Sequence, residues 1–198
     1  SAVSSRWVAS SGRGVSTPTR GNWCHGGRIV ADLLTHVLTA YVLATLLSVR
    51  DERVTPAMVT AAMVGGVVPD LNRIGLLVPA ETVESLLGIP FAWDALLTVG
   101  GVSVVVALGV LLVPHRLRSM TAAMLSLGVL AHFTLDYLLL FPSGYTHPYL
   151  WPVTAAGLPG PNLYLSSARW PAVVAVACAG FAWLFSRRRR ESEAATHG

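Results

Sequence analysis

Five apolar segments, at roughly residues 31–48, 55–69, 96–113, 120–141 and 170–186, constrain this chain more than any other feature. A bilayer offers no water to backbone N–H and C=O groups, so a segment that enters it must satisfy them internally, as a helix does. Composition agrees. The 198 residues are 53% hydrophobic and only 12% charged, about half the charged fraction of a soluble domain. The expected fold is all-α: a polytopic protein of the cell membrane with about five transmembrane or re-entrant helices. Several segments fall short of the ~20 residues of a full span, so their ends are set loosely.

Three regions follow. Residues 1–29 are rich in Ser, Gly and Arg without apolar periodicity, and are expected to be a disordered extension. Residues 30–187 form the helical membrane domain, and 188–198 a polar cytoplasmic tail. Cys24 and Cys178 lie in a polar tail and an apolar helix, which argues against a disulfide framework. Cys24 beside His25 in "WCHGG" could offer two ligands, but a flexible tail gives them no fixed geometry. "AETVESLLGIPFAW" (81–93, with Ala80) reads as a short interfacial helix stopped by Gly88 and Pro90. Gly65 and Gly66, with Ala61 and Ala62 a turn earlier, make a small-residue face suited to close helix packing. Ser166 or Ser167 is placed to cap the last helix.

All 14 basic residues are arginine. The run Arg187 to Arg190 is a topology signal rather than a nucleic-acid site, and no nucleic acid is expected as a partner. It places the C-terminus inside. Counting back through five spans puts Arg116, Arg118, Arg50 and Arg53 inside too, and the longer loops outside.

Depth counting along this topology, at ~1.5 Å per helical residue, brings polar groups together in the outer half of the bilayer. Asp32 and His36 are four apart near the outer end of the first helix. His132 and Asp136 are four apart near the outer end of the fourth. Asp70 and Asn72 follow the second. Residues at i and i+4 share a helix face. A carboxylate in lipid costs ~2.5–3.5 kcal/mol on insertion scales, so these groups must face one another, a watery cavity or a cation. Imidazole with carboxylate suits zinc, and a carboxylate-rich set would also suit manganese or magnesium. Simple hydrogen bonding between His132, Asp136 and a neighbouring helix is the alternative. His147, in "GYTHPYLWP", is either a further ligand folding back over the site or a loop residue. Asp94 precedes the third long helix on the same outer side.

At these residues the chain resembles the membrane-bound metal-dependent hydrolases, also called LexA-binding inner-membrane hydrolases, of archaeal type. The resemblance spans about residues 31–186 and rests on "LLTHVLTAYVLATLL", "GGVVPDLNRIG" and "AHFTLDYLLLFPSGYTHPYLWPVT". It implies a divalent metal held by His36, Asp70, His132 and Asp136. More remotely, the family is similar to the helical zinc-dependent phospholipase C group. Asn72 stands where the family has a second acid, and "FAWDALLTVGG" lacks the family's central histidine, with Leu97 near that position. The implied function is metal-dependent hydrolysis, with phosphoesters as one substrate class, reached from the membrane or outer side. Membrane lipids are the expected partners. Asp32 would orient His36, and Asp94 would be a base. The rival is a catalytically silent scaffold, or an ion or proton carrier that uses the His–Asp pairs.

Overall fold

The computed structural model describes residues 25–141, 144–165 and 168–196. Residues 1–24, 142–143, 166–167 and 197–198 lie outside them, and so do the expectations for Cys24 and for a Ser166 or Ser167 cap. The described chain is all-helical apart from its loops; two isolated β-bridges, Leu139 with Tyr164 and Tyr145 with Pro159, are the only extended pairings among the described residues.

Among the described residues there are six α-helices: α1 (His25–Ser48), α2 (Pro56–Val67), α3 (Ala80–Leu87), α4 (Val99–Leu111), α5 (Arg118–Tyr137) and α6 (Trp170–Thr196). Segments of 3₁₀ helix lie between α2 and α3, α3 and α4, and α4 and α5. The last five residues of the expected N-terminal extension thus open α1, and α6 continues through residues 188–196. Local chemistry sets several ends. Pro56 opens α2, where its missing N–H costs nothing and its fixed φ suits the first helical position. Pro69 supplies no N–H to continue the α pattern, and the chain tightens into the 3₁₀ segment Val68–Leu76. Gly88, at φ +67°, closes α3 with its N–H on the Glu84 carbonyl. Thr98 caps α4 by accepting from the Gly101 N–H at 3.2 Å.

The centre of the fold is α2, packed between α1 and α5. Contact there is backbone against backbone. A Cβ added to Gly128 would overlap the Ala62 carbonyl and the Gly66 nitrogen, and one added to Gly65 would overlap the Leu125 carbonyl. A Cβ on Gly66 would press the Ala40 side chain and the His36 carbonyl at 3.2 and 3.3 Å. Small residues therefore let three helices approach closely, gaining dispersion contacts that larger side chains would prevent. Ala44, Met58, Ala62 and Met124 fill one end of this contact, and Val68, Val102 and Val129 the other.

The polarity of the helices sorts the chain into two ends. The α1–α2 turn with Arg50 and Arg53, the α4–α5 turn with Arg116 and Arg118, and the C-terminal part of α6 with Arg187 to Arg189 share one end, where an Arg189 N–H reaches the Val49 carbonyl. The beginning of α1, the 3₁₀ segment after α2, and the end of α5 share the other.

The outer surfaces are apolar. Val104, Leu108, Leu112, Val173 and Phe181 are all more than half exposed. By length and composition, Trp170–Arg189 of α6 could cross a membrane on its own. Pro56–Leu76 with Ala80–Leu87 passes the same criterion as a pair, bent by 94°, while Asp32–Ser48 and Val99–Leu111 are apolar but shorter.

Candidate metal centre

The polar end encloses two histidines. His36 of α1 and His132 of α5 are 2% and 1% exposed, and their rings stack at 3.9 Å between centroids with 18° between planes. Each imidazole was delivered by the close helix approach: α1 and α5 lie on either side of the small-residue face of α2.

His132 is oriented by the main chain. Its Nδ1 lies 2.8 Å from the Gly66 carbonyl. A carbonyl only accepts, so Nδ1 must donate, and in the neutral ring Nε2 then carries the lone pair. The last carbonyls of a helix lack intrahelical donors, which leaves Gly66 able to hold the ring. Nε2 faces Asp136 Oδ2 at 3.2 Å. A lone pair opposite a carboxylate oxygen repels unless a proton or a cation lies between them.

His36 is less well satisfied. Its Nε2 lies 3.3 Å from Asp136 Oδ1 and 3.5 Å from Asp32 Oδ1, yet neither ring nitrogen makes a well-directed hydrogen bond among the described residues. Asp32 thus meets the same ring nitrogen as Asp136. Asp70, on the 3₁₀ segment, is 9% exposed; its Oδ1 accepts from Arg73 at 2.7 Å, and its buried Oδ2 has no hydrogen-bond partner among the described residues. Buried polar groups are nearly always paired, and these three atoms lie close together without a hydrogen bond among the described residues. One ligand atom each from His36, Asp70 and His132 lies within 4.8 Å of the others, and this buried group could hold a metal ion.

Arg73 was not among the expected site residues. Its guanidinium bonds Asp70 Oδ1 and, at 2.9 Å, Asp32 Oδ2, tying the 3₁₀ segment to α1. The i,i+3 spacing from Asp70 was a usable signal, but the arginine also fits a loop charge. Asn72 does not join the buried group. It lines an open cavity of about 490 Å³ with Arg73, Trp93 and Asp94, and Asp94 itself is exposed there. Leu97 is half-buried on the 3₁₀ segment Trp93–Leu97.

The loop after α5 covers the site with tyrosines. Val99 and Gly100, at the start of α4, donate to the Tyr149 and Trp151 carbonyls, which pins the loop on helical N–H groups that need acceptors. Tyr149 is buried, 5.4 Å from the Phe133 ring, and burial followed by the Asp136 charge pushes its phenol well above the usual value. Tyr164 donates to the Leu135 carbonyl; burial, then Asp32 and Asp136, raise it to about 12. Both therefore stay neutral donors beside the carboxylates. His147 is exposed and packs on Phe141 and Tyr149 rather than entering the buried group.

Comparison with known protein families, with curated proteins and with solved structures finds no match for this chain.

Proposed function

We propose that this chain is a multi-pass membrane protein of the metal-dependent hydrolase kind, with a divalent-metal centre at the polar end and zinc as the metal. The observation that carries the reading is a set of buried polar atoms with no hydrogen-bond partner among the described residues, the His36 nitrogens and Asp70 Oδ2, beside a His132 whose Nδ1 is held by Gly66. Two imidazoles and a carboxylate suit zinc, with Asp136 beside both rings as a further ligand. A divalent ion bound there supplies Lewis acidity and brings the pKa of water towards neutral. Exposed apolar side chains on α4, α5 and α6, with His36, Asp70 and His132 buried inside, support the membrane reading.

The chain's own residues suit a phosphoester reached from the outer side. Arg73 borders the open cavity while its guanidinium pairs with Asp32 and Asp70, so the cavity, which Glu81 and Asp94 also line, gives access to the edge of the buried group. Asp94, exposed on the outer cavity, stands apart from the buried group, whereas Asp136 faces both imidazoles as a ligand.

Metal analysis of purified protein beside His132→Ala tests the centre. Stoichiometric divalent metal is expected in the wild type and not in the variant, with phosphodiester or lipid hydrolysis following the metal. A metal-free wild type, inactive after zinc or manganese is added, would sink the reading. The unbroken run of contacts Asp32–His36–Asp136–His132 favours a proton carrier as the second reading. Proton flux in liposomes that disappears in Asp136→Asn, without hydrolysis, would select it.

A further inference from the structure

The arginine-rich end carries two cavities that share walls. One, of about 410 Å³, is mostly polar and is lined by Arg50, Arg189 and Glu52 with the Ser48, Thr55 and Ser186 side chains. The other, of about 450 Å³, runs between α1, α2 and α6 and is mostly apolar, with Tyr41, Val59, Met63 and Trp183 on its walls and the mutually paired Arg187 and Glu191 also bordering it. Ser48, Val54, Pro56 and Ser186 border both. The pair forms one amphipathic recess, polar at its mouth and apolar along the helices.

Charge at the mouth is unbalanced. Arg53 is paired with Asp51, and Arg187 with Glu191 at 2.8 Å. Arg189 donates to the Val49 carbonyl at 3.4 Å and lies 6.0 Å over the Phe185 ring, and neither it nor Arg50 has an ion pair among the described residues, so at the mouth two guanidiniums face one carboxylate, Glu52. The recess also sits at the right level. The apolar stretch of α6 that could cross a membrane ends at Arg189, so the mouth lies where lipid headgroups begin and the apolar limb lies where acyl chains run.

We infer that this recess binds one anionic phospholipid, with its phosphate between Arg50 and Arg189 and an acyl chain along Tyr41, Met63 and Trp183. This rests on the membrane reading, but not on the metal centre or on any hydrolysis. The site lies at the opposite end from His36 and His132. The lipid would tie the α1–α2 turn to α6 by neutralising arginines from both.

The test uses the full chain, first extracted with detergent, then placed in nanodiscs of phosphatidylglycerol or of phosphatidylcholine. Native mass spectrometry of the detergent-purified protein should retain phosphatidylglycerol over phosphatidylcholine, and thermal unfolding should be higher in phosphatidylglycerol. The Arg50→Gln/Arg189→Gln double variant should lose the preference by roughly tenfold or more. Arg188→Gln, exposed and outside the recess, should keep it. Equal retention of both lipids by the wild type, or an undiminished preference in the double variant, overturns the inference. So does full displacement of the lipid by inorganic phosphate, which would make the site one for free anions. A chain that stays soluble without detergent would instead refute the membrane reading, a different outcome from loss of lipid selectivity.

Discussion

Arg73 holds Asp70 and Asp32 together, and three carboxylates with two imidazoles share the space beyond it. Removing the guanidinium leaves two carboxylates facing each other with little water. Arg73→Gln should therefore lower stability by ~2 kcal/mol, less than for a fully buried pair because Arg73 is partly exposed. Zinc should recover more stability in this variant than in the wild type, since an ion can replace the missing positive charge. Thermal unfolding with and without zinc measures both, and equal zinc effects in the two proteins would contradict the arrangement. Metal retention separates the buried group from its surroundings. His36→Ala and Asp70→Asn should lose divalent metal on purification. Asn72→Ala and His147→Ala, which sit on the outer cavity and the loop, should retain it. Metal analysis of the four proteins side by side decides this, and loss of metal in His147→Ala would bring the loop into the site.

Among the elements, α2 and α5 determine whether the site exists. Gly128→Ala forces a methyl into the Ala62 carbonyl and the Gly66 nitrogen. Neither is a flexible side chain, so the helices must separate, at a cost of ~1–3 kcal/mol or more. Separation also draws the Gly66 carbonyl away from His132 Nδ1. Lost support of that kind typically weakens metal binding by ~10–100-fold. Gly128→Ala should thus lose both stability and metal affinity, although its own side chain never touches the site. Gly180→Ala on α6, where nothing lies within 4 Å of the new methyl, should be neutral or stabilising by up to ~1 kcal/mol, because alanine favours a helix over glycine. Zinc titration and thermal unfolding of the two variants give the comparison. Equal behaviour would mean the α2–α5 contact has room to spare.

For the whole molecule, the arginine end and the histidine end should face opposite sides of a membrane. After replacement of Cys24 and Cys178, a cysteine at exposed Val153 should react with an impermeant maleimide added from outside. One at Arg188 should react only after the membrane is opened. Labelling in the reverse order would turn the site towards the cytoplasm and change the substrates that can reach it.

Helicity, the two ends and most of the polar cluster follow from the sequence by itself. Apolar segments bounded by arginines and turn residues predict the helices, and i,i+4 spacing puts Asp32 with His36 and His132 with Asp136 on single faces. Gly88 and Pro90 likewise announce the end of α3. These are local properties, set by periodicity and by residues within one turn of each other. Tertiary structure decided which atoms meet. It stacked His36 on His132, put the Gly66 carbonyl on Nδ1, left Asp70 Oδ2 without a hydrogen-bond partner among the described residues, and brought Arg73 across to Asp32. It left Asn72, Asp94 and His147 at the edge. The difference lies in distance. A hydrogen bond or metal contact is made or lost within about an ångström, and that ångström depends on how closely Gly65 and Gly128 let two helices approach.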